Sequence, residues 1–222
     1  MTNRPTFPSA LTLGVLAIAL LVAGCGYVRR PEERTDDGLV RVHSRDVAGV
    51  YRAPGAEFRQ YRKVILEPAV VAFRPRWREA HADVTDNQLM LIVQDAVALF
   101  YEEFKRELIE KGGYEFAEEP GPDVLLISPR VTDLNIHAPD WSPKTYVPST
   151  LTMQVSGDLH DGVSNALVGR VIIFENSEDS GGFGLTLADR VTNAHEMRMG
   201  FRKWSKMIIE ALNVAKATRP PI

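Results

Sequence analysis

Cysteine is almost absent from this chain: Cys25 is the only one in 222 residues. A single thiol closes no internal disulfide, so it is unused, intermolecular or modified. An excess of one charge is also missing, with 26 basic against 29 acidic residues and a net charge of −3. Phosphate backbones are held by clustered basic excess, so nucleic acid is excluded as the main partner. Catalytic signatures are lacking too. There is no Gly-x-Ser-x-Gly elbow, no Glu-x-x-His pair and no P-loop lysine. Internal repeats and low-complexity tracts do not occur. What remains is ordinary globular material, 45% hydrophobic and 25% charged, enough for the packed core of one domain.

The long apolar run that is present stands at the start. Arg4 is the only charge before Arg29, and Ala10 to Gly24 is a fifteen-residue apolar stretch ending in small residues. A positive start, a short apolar core and a small-residue end are the parts of a secretory signal. The stretch is short for a membrane span, which takes about 20 residues. Its end, Val22-Ala23-Gly24-Cys25, resembles the lipobox of bacterial lipoproteins. The resemblance implies diacylglycerol on the Cys25 thiol, cleavage after Gly24 and a third acyl chain, such as palmitate, on the new amine. Two or more chains anchor stably, because each buried methylene contributes roughly 0.8 kcal/mol. Gly26 and Tyr27 follow, without the aspartate that retains enteric lipoproteins at the inner membrane. Export to the periplasmic face of the outer membrane is the resulting expectation.

The organisation expected is a signal peptide over 1–24, a flexible tether over 25–37, one domain over 38–217 and a frayed tail over 218–222. The tether is polar, mixed in charge and without a hydrophobic period. In the domain, Tyr61 to Phe73 reads as one strand interrupted at Pro68. Thr85-Asp86-Asn87-Gln88 has the form of a capping box, opening a helix that should stop at Gly112-Gly113. Leu89, Val93, Ala96, Phe100, Phe104 and Leu108 recur on one face of that helix. Asp123 to Ile136 reads as a strand with a bulge near Pro129 to Asp133. Thr150 to His160 alternates apolar with polar residues, and Asp161-Gly162 turns it into a returning strand, Ala166 to Phe174. A last helix, about Arg190 to Lys216, gathers Met197, Phe201, Trp204, Ile208 and Leu212 on one side. The expected class is α+β, a mainly antiparallel sheet with two long amphipathic helices packed on one face.

Several spaced blocks resemble one bacterial lipoprotein family, catalogued as domain of unknown function 3313. They are DGLVRV at Asp37 to Val42, VYRAPGAEFRQYRKVILEP at Val50 to Pro68, PDVLLI at Pro122 to Ile127 with TDL at Thr132 to Leu134, and GDLHDGVSNALVGR at Gly157 to Arg170. Ala72-Phe73, Trp77 and the Trp204 helix fit as well. The hairpin turn departs from the pattern, carrying Ser164-Asn165 where members more often place a glycine. The resemblance implies a secreted lipoprotein domain beginning near Asp37, and no activity, cofactor or catalytic residue. Twelve residues from Cys25 span at most about 40 Å, which keeps the domain near the membrane.

Candidate sites are sparse. Asp158 and His160 share one face of a strand beside Asp161, a weak site for a metal or a general base. Zinc needs a third ligand that the neighbourhood does not offer, and a solvated strand face is the plainer reading. His81 with Asp83 reads as surface, as does His195 on the last helix. His137 reads as a partly buried strand end. Gly181-Gly182-Phe183-Gly184 reads as a loop without phosphate-binding partners. The loop Ala138 to Ser149 holds three prolines with Trp141 and Tyr146. Rings on a pre-ordered loop lose little entropy when a partner buries them, so these two are the candidate partner contacts. No catalytic, cofactor or metal residue is assigned and no cofactor is expected. The leading expectation is a non-enzymatic envelope module that binds or assembles another envelope protein. A lipid- or glycan-binding accessory of envelope transport is the alternative, and a periplasmic hydrolase built on Asp158 and His160 stands third.

Overall fold

The computed structural model describes residues 33–42, 49–137, 145–147, 150–176 and 186–217. Cys25, Trp141 and the Gly181–Gly184 stretch lie outside them. Among the described residues, ten strands and two long helices are laid out as β1 (Val40–Val42), β2 (Gly49–Arg52), β3 (Lys63–Leu66), β4 (Val70–Phe73), a single turn α1 (Trp77–Ala80), α2 (Asp86–Lys105), β5 (Glu115–Phe116), β6 (Val124–Ile136), β7 (Thr145–Val147), β8 (Leu151–Asp161), β9 (Leu167–Asn176), β10 (Thr186–Ala188) and α3 (Arg190–Ala217). Eight strands make one sheet in the order β1-β2-β9-β8-β6-β3-β5, with β4 also paired to β6, while β7 and β10 form a separate ribbon.

The expectation of a mainly antiparallel sheet is corrected: the sheet is mixed. From β1 to β6 the neighbours are antiparallel, but β3 and β4 run parallel to β6, and β5 runs parallel to β3. The cause is α2, which carries the chain back before β5 and β6 are laid down. A helical crossover returns a strand in the same direction, whereas a hairpin reverses it. Two prolines mark the seam. β3 pairs with β6 at Val124–Ile127 and β4 pairs with it from Arg130 onwards. Pro129 therefore falls in the gap left by Pro68, where its missing N–H costs no ladder bond. The bulge lies slightly beyond its expected place, between Thr132 and Asn135, and Asp133 takes a left-handed φ of 53°. Arg74 secures it, donating from Nε at 3.1 Å and Nη2 at 3.2 Å to the Asp133 carboxylate.

Helix α2 begins as its sequence dictates. The Thr85 hydroxyl accepts from the Gln88 amide, and the Gln88 side chain accepts from the Thr85 N–H at 2.8 Å. It ends in a π-helical turn, Arg106–Lys111, and stops at Gly112-Gly113, where Gly113 adopts φ 70°. Both long helices pack on the same face of the sheet. Met153, Val155 and Leu159 of β8 point into them and are buried. Trp204 fills the centre, its ring 5.3 Å from Phe100 and 5.8 Å from Phe104. Gly157 makes room for it: a Cβ there would lie 2.6 Å from the Trp204 ring. α2 and α3 run in the same direction, since Asp95 pairs with Arg190, Glu102 with Arg198 and Glu103 with Arg202. Side-by-side parallel helices have unfavourably aligned dipoles, and acids on one facing arginines on the other offset this. Glu103 is fully buried, held by Arg202 and Arg106.

Candidate functional site

With the helices on one side, the even-numbered positions of β8 face away from them. Register places a polar row there: Ser128 of β6 beside Asp158 of β8 beside Arg170 of β9. Asp158 is 9% exposed. Its carboxylate accepts from Arg170 Nε and lies 3.8 Å from Arg130 Nη2. Arg170 then spans to Asp37, Nη2 to Oδ2 at 2.7 Å. The Asp158 contact outweighs burial and raises the Arg170 pKa. Asp37 is lowered, first by the hydrogen bond from the Thr35 hydroxyl. Glu33 to Asp37 thus belongs to the ordered contacts of the domain, upstream of the boundary read at residue 38. Arg34 bridges to Val40, and Leu39 N–H donates to Thr35 Oγ1 at 3.0 Å.

Asp158 and His160 do share a strand face, but different partners hold them. His160 Nδ1 lies 3.1 Å from the Asn165 carbonyl oxygen. Asp161 is the hub of the hairpin. One oxygen accepts from the Ser164 amide and hydroxyl, both at 2.8 Å, and from the Val163 amide at 3.1 Å. The other accepts from the Tyr61 hydroxyl at 2.8 Å. These donors, the Ser164 amide foremost, hold the Asp161 carboxyl down at about 2. Burial and the neighbouring carboxylate push the Tyr61 phenol well above its ordinary value. The turn closes with Asn165 at φ 57°. That conformation favours glycine and next tolerates asparagine, which accounts for the Ser164-Asn165 departure. The chemistry of this corner is that of a braced turn: Asp161 accepts donors on both oxygens, and the Asp158 carboxylate is paired with Arg170. Among the described residues no group of three or more His, Cys, Asp or Glu could hold a metal ion.

The remaining histidines divide. His81 stacks on Trp77 with ring centroids 4.2 Å apart, and its Nδ1 meets the Trp77 carbonyl at 2.8 Å. His137 is exposed rather than partly buried, its Nε2 lying 3.1 Å from Asn135 Nδ2. His195 is exposed on α3. Tyr146 sits on β7 opposite Leu187 of β10 and is 62% exposed.

Two residues that sequence reading passed over stand out on the helix-free face. Phe174 of β9 is 52% exposed and Val70 of β4 is 59% exposed. Between them lie Arg130 and the uncharged side chains Thr132, Gln154 and Ser156. The alternation of β9 was the signal available for Phe174, since it occupies the same parity as Arg170.

Fold and site together define a class: an α+β domain whose eight-stranded mixed sheet is covered by two parallel helices on one side and, among the described residues, presents a polar, charge-paired row on the other. The chain belongs to the family described as protein of unknown function, DUF3313, whose model matches residues 32–208. No curated protein matches it. Among solved structures it is similar to a PelC dodecamer from Paraburkholderia phytofirmans bearing one leucine-to-methionine substitution, at 14% identity and a TM-score of 0.37, covering 73% of this chain and 97% of that one. A second PelC dodecamer structure from the same organism aligns at 14% identity and a TM-score of 0.35, covering 75% of this chain and 97% of the other. Likeness at this level settles no detail of fold or function.

Proposed function

We propose that this protein is an envelope lipoprotein, anchored through acyl chains on Cys25 at the periplasmic face of the outer membrane, that acts as a non-enzymatic module binding or assembling another envelope component. The observation that carries the reading is the position of the sole cysteine, directly after Val22-Ala23-Gly24 at the end of the apolar run. No helix among the described residues is long and apolar enough to cross a membrane. A binding role is supported by Tyr146, a half-polar ring standing out from the ribbon of β7 and β10. Aromatic side chains of this kind give large contact area at small entropic cost. A hydrolytic role is disfavoured by the donors on both oxygens of Asp161 and by the pairing of Asp158 with Arg170.

The test is in-cell photo-crosslinking from positions 146 and 141, read by mass spectrometry alongside the intact mass of the chain. A discrete protein adduct on an acylated chain is expected. Lipid or glycan adducts alone would replace the assembly role with that of a lipid- or glycan-binding accessory. An unacylated mature chain would remove the anchor from the reading.

A further inference from the structure

The helix-free face has a direction relative to the anchor. Arg170, on that face, holds Asp37 at 2.7 Å, so the turn that follows Glu33 and Arg34 reaches from the β1 edge onto the open side of the sheet. Glu33, four residues before Asp37, is already described, and Arg34 bridges to Val40. Eight chain steps separate Cys25 from Glu33 and span at most about 28 Å whatever their conformation. Resting on the anchored reading above, we infer that the open face of the sheet lies against the phospholipid headgroup layer, with Phe174 and Val70 as its contact groups.

The composition of the face suits that occupant. Two rows cross it, Val70–Arg130–Ser156–Ile172 and Thr132–Gln154–Phe174. The paired charges nearly cancel, because Arg130 and Arg170 meet Asp158 and Asp37. A near-neutral surface bearing one exposed aromatic ring, Phe174, and short polar groups is compatible with the boundary between headgroups and acyl chains. The Arg130 guanidinium, 58% exposed and only 3.8 Å from its nearest acid, is placed to meet a lipid phosphate. The outward stripe of α2, with Met90, Leu91 and Tyr101, is as apolar. It lies across the sheet from Asp37, however, and a short leash favours the near side.

The experiment uses the full acylated chain in vesicles of phosphatidylethanolamine and phosphatidylglycerol. The Cys25 thiol is consumed by acylation, so F174C, V70C and M90C each carry a single environment-sensitive dye. Quenching by lipids brominated near the headgroup should be several-fold stronger at positions 174 and 70 than at 90. Equal quenching at all three, or the strongest at 90, overturns the inference. Shielding of position 174 by a co-purifying protein, with no lipid quenching, overturns it equally. Intact mass separates the two failures: an acylated chain with no quenching at 174 defeats the docking alone, and an unacylated chain defeats the anchor with it.

Discussion

The two sides of β8 are one strand in two solvents. Met153, Val155 and Leu159 are sealed under α2 and α3, while Gln154, Ser156 and His160, one residue away, remain partly in water. On the covered side the fit is tight enough that Gly157 has no room for a methyl group beneath Trp204. On the open side, order comes from directed polar contacts, with Arg170 clasped between Asp158 and Asp37. Packing is non-directional and additive over many atoms. A charge-paired face depends on a few bonds, each largely offset by the water it displaces. Stability should therefore reside on one face, leaving side chains on the other free to change.

That contrast can be broken in graded steps. Trp204→Ala should cost about 3–5 kcal/mol in urea denaturation, because its cavity is walled by Phe100, Phe104 and the sheet. Gly157→Ala should cost about 1–3 kcal/mol through forced displacement of the indole. A neutral result would show that α3 can slide. Asp158→Asn should cost about 1–2 kcal/mol, since Arg170 retains Asp37. A loss as large as that of Trp204→Ala would make the open face structural after all. Phe174→Ser should stay within about 0.5 kcal/mol, as expected of a surface group, with its effect appearing only in vesicle quenching. Lowering the pH sharpens the comparison further. Asp161 is held below its unfolded pKa, so its contribution is fully present above about pH 4 and is lost as pH falls through about 2. Asp161 stands at the hairpin end of β8, so acid-induced fraying detected by amide exchange should begin there.

How much of this could be read from sequence depends on the range of the interaction. The capping box at Thr85, the stop at Gly112-Gly113 and the buried stripe from Met197 to Leu212 are local, and the structure has them where the pattern placed them. The direction of β3, β4 and β5 was not legible, because it depends on where α2 returns the chain rather than on any strand's own residues. The clasp on Asp158 was missed for a related reason. Parity put Asp158 and His160 on one face, but only cross-strand register brings Arg170 and Arg130 to the acid. Glu103 shows the same limit: nothing local marks this carboxylate for burial, and the arginine that neutralises it, Arg202, stands 99 residues later.

The parallel pairing of α2 with α3 also sets a timetable. The partners of Asp95, Phe100 and Glu103 are Arg190, Trp204 and Arg202, close to the end of the chain. Until that final segment has been synthesised, the covered face of the sheet has no lid and α2 has no neutralising neighbour. The domain cannot lock while its C-terminal helix is still missing, and closure waits on contacts of long sequence separation. A chain truncated before Arg190 should be a substrate for proteases rather than a smaller version of the domain.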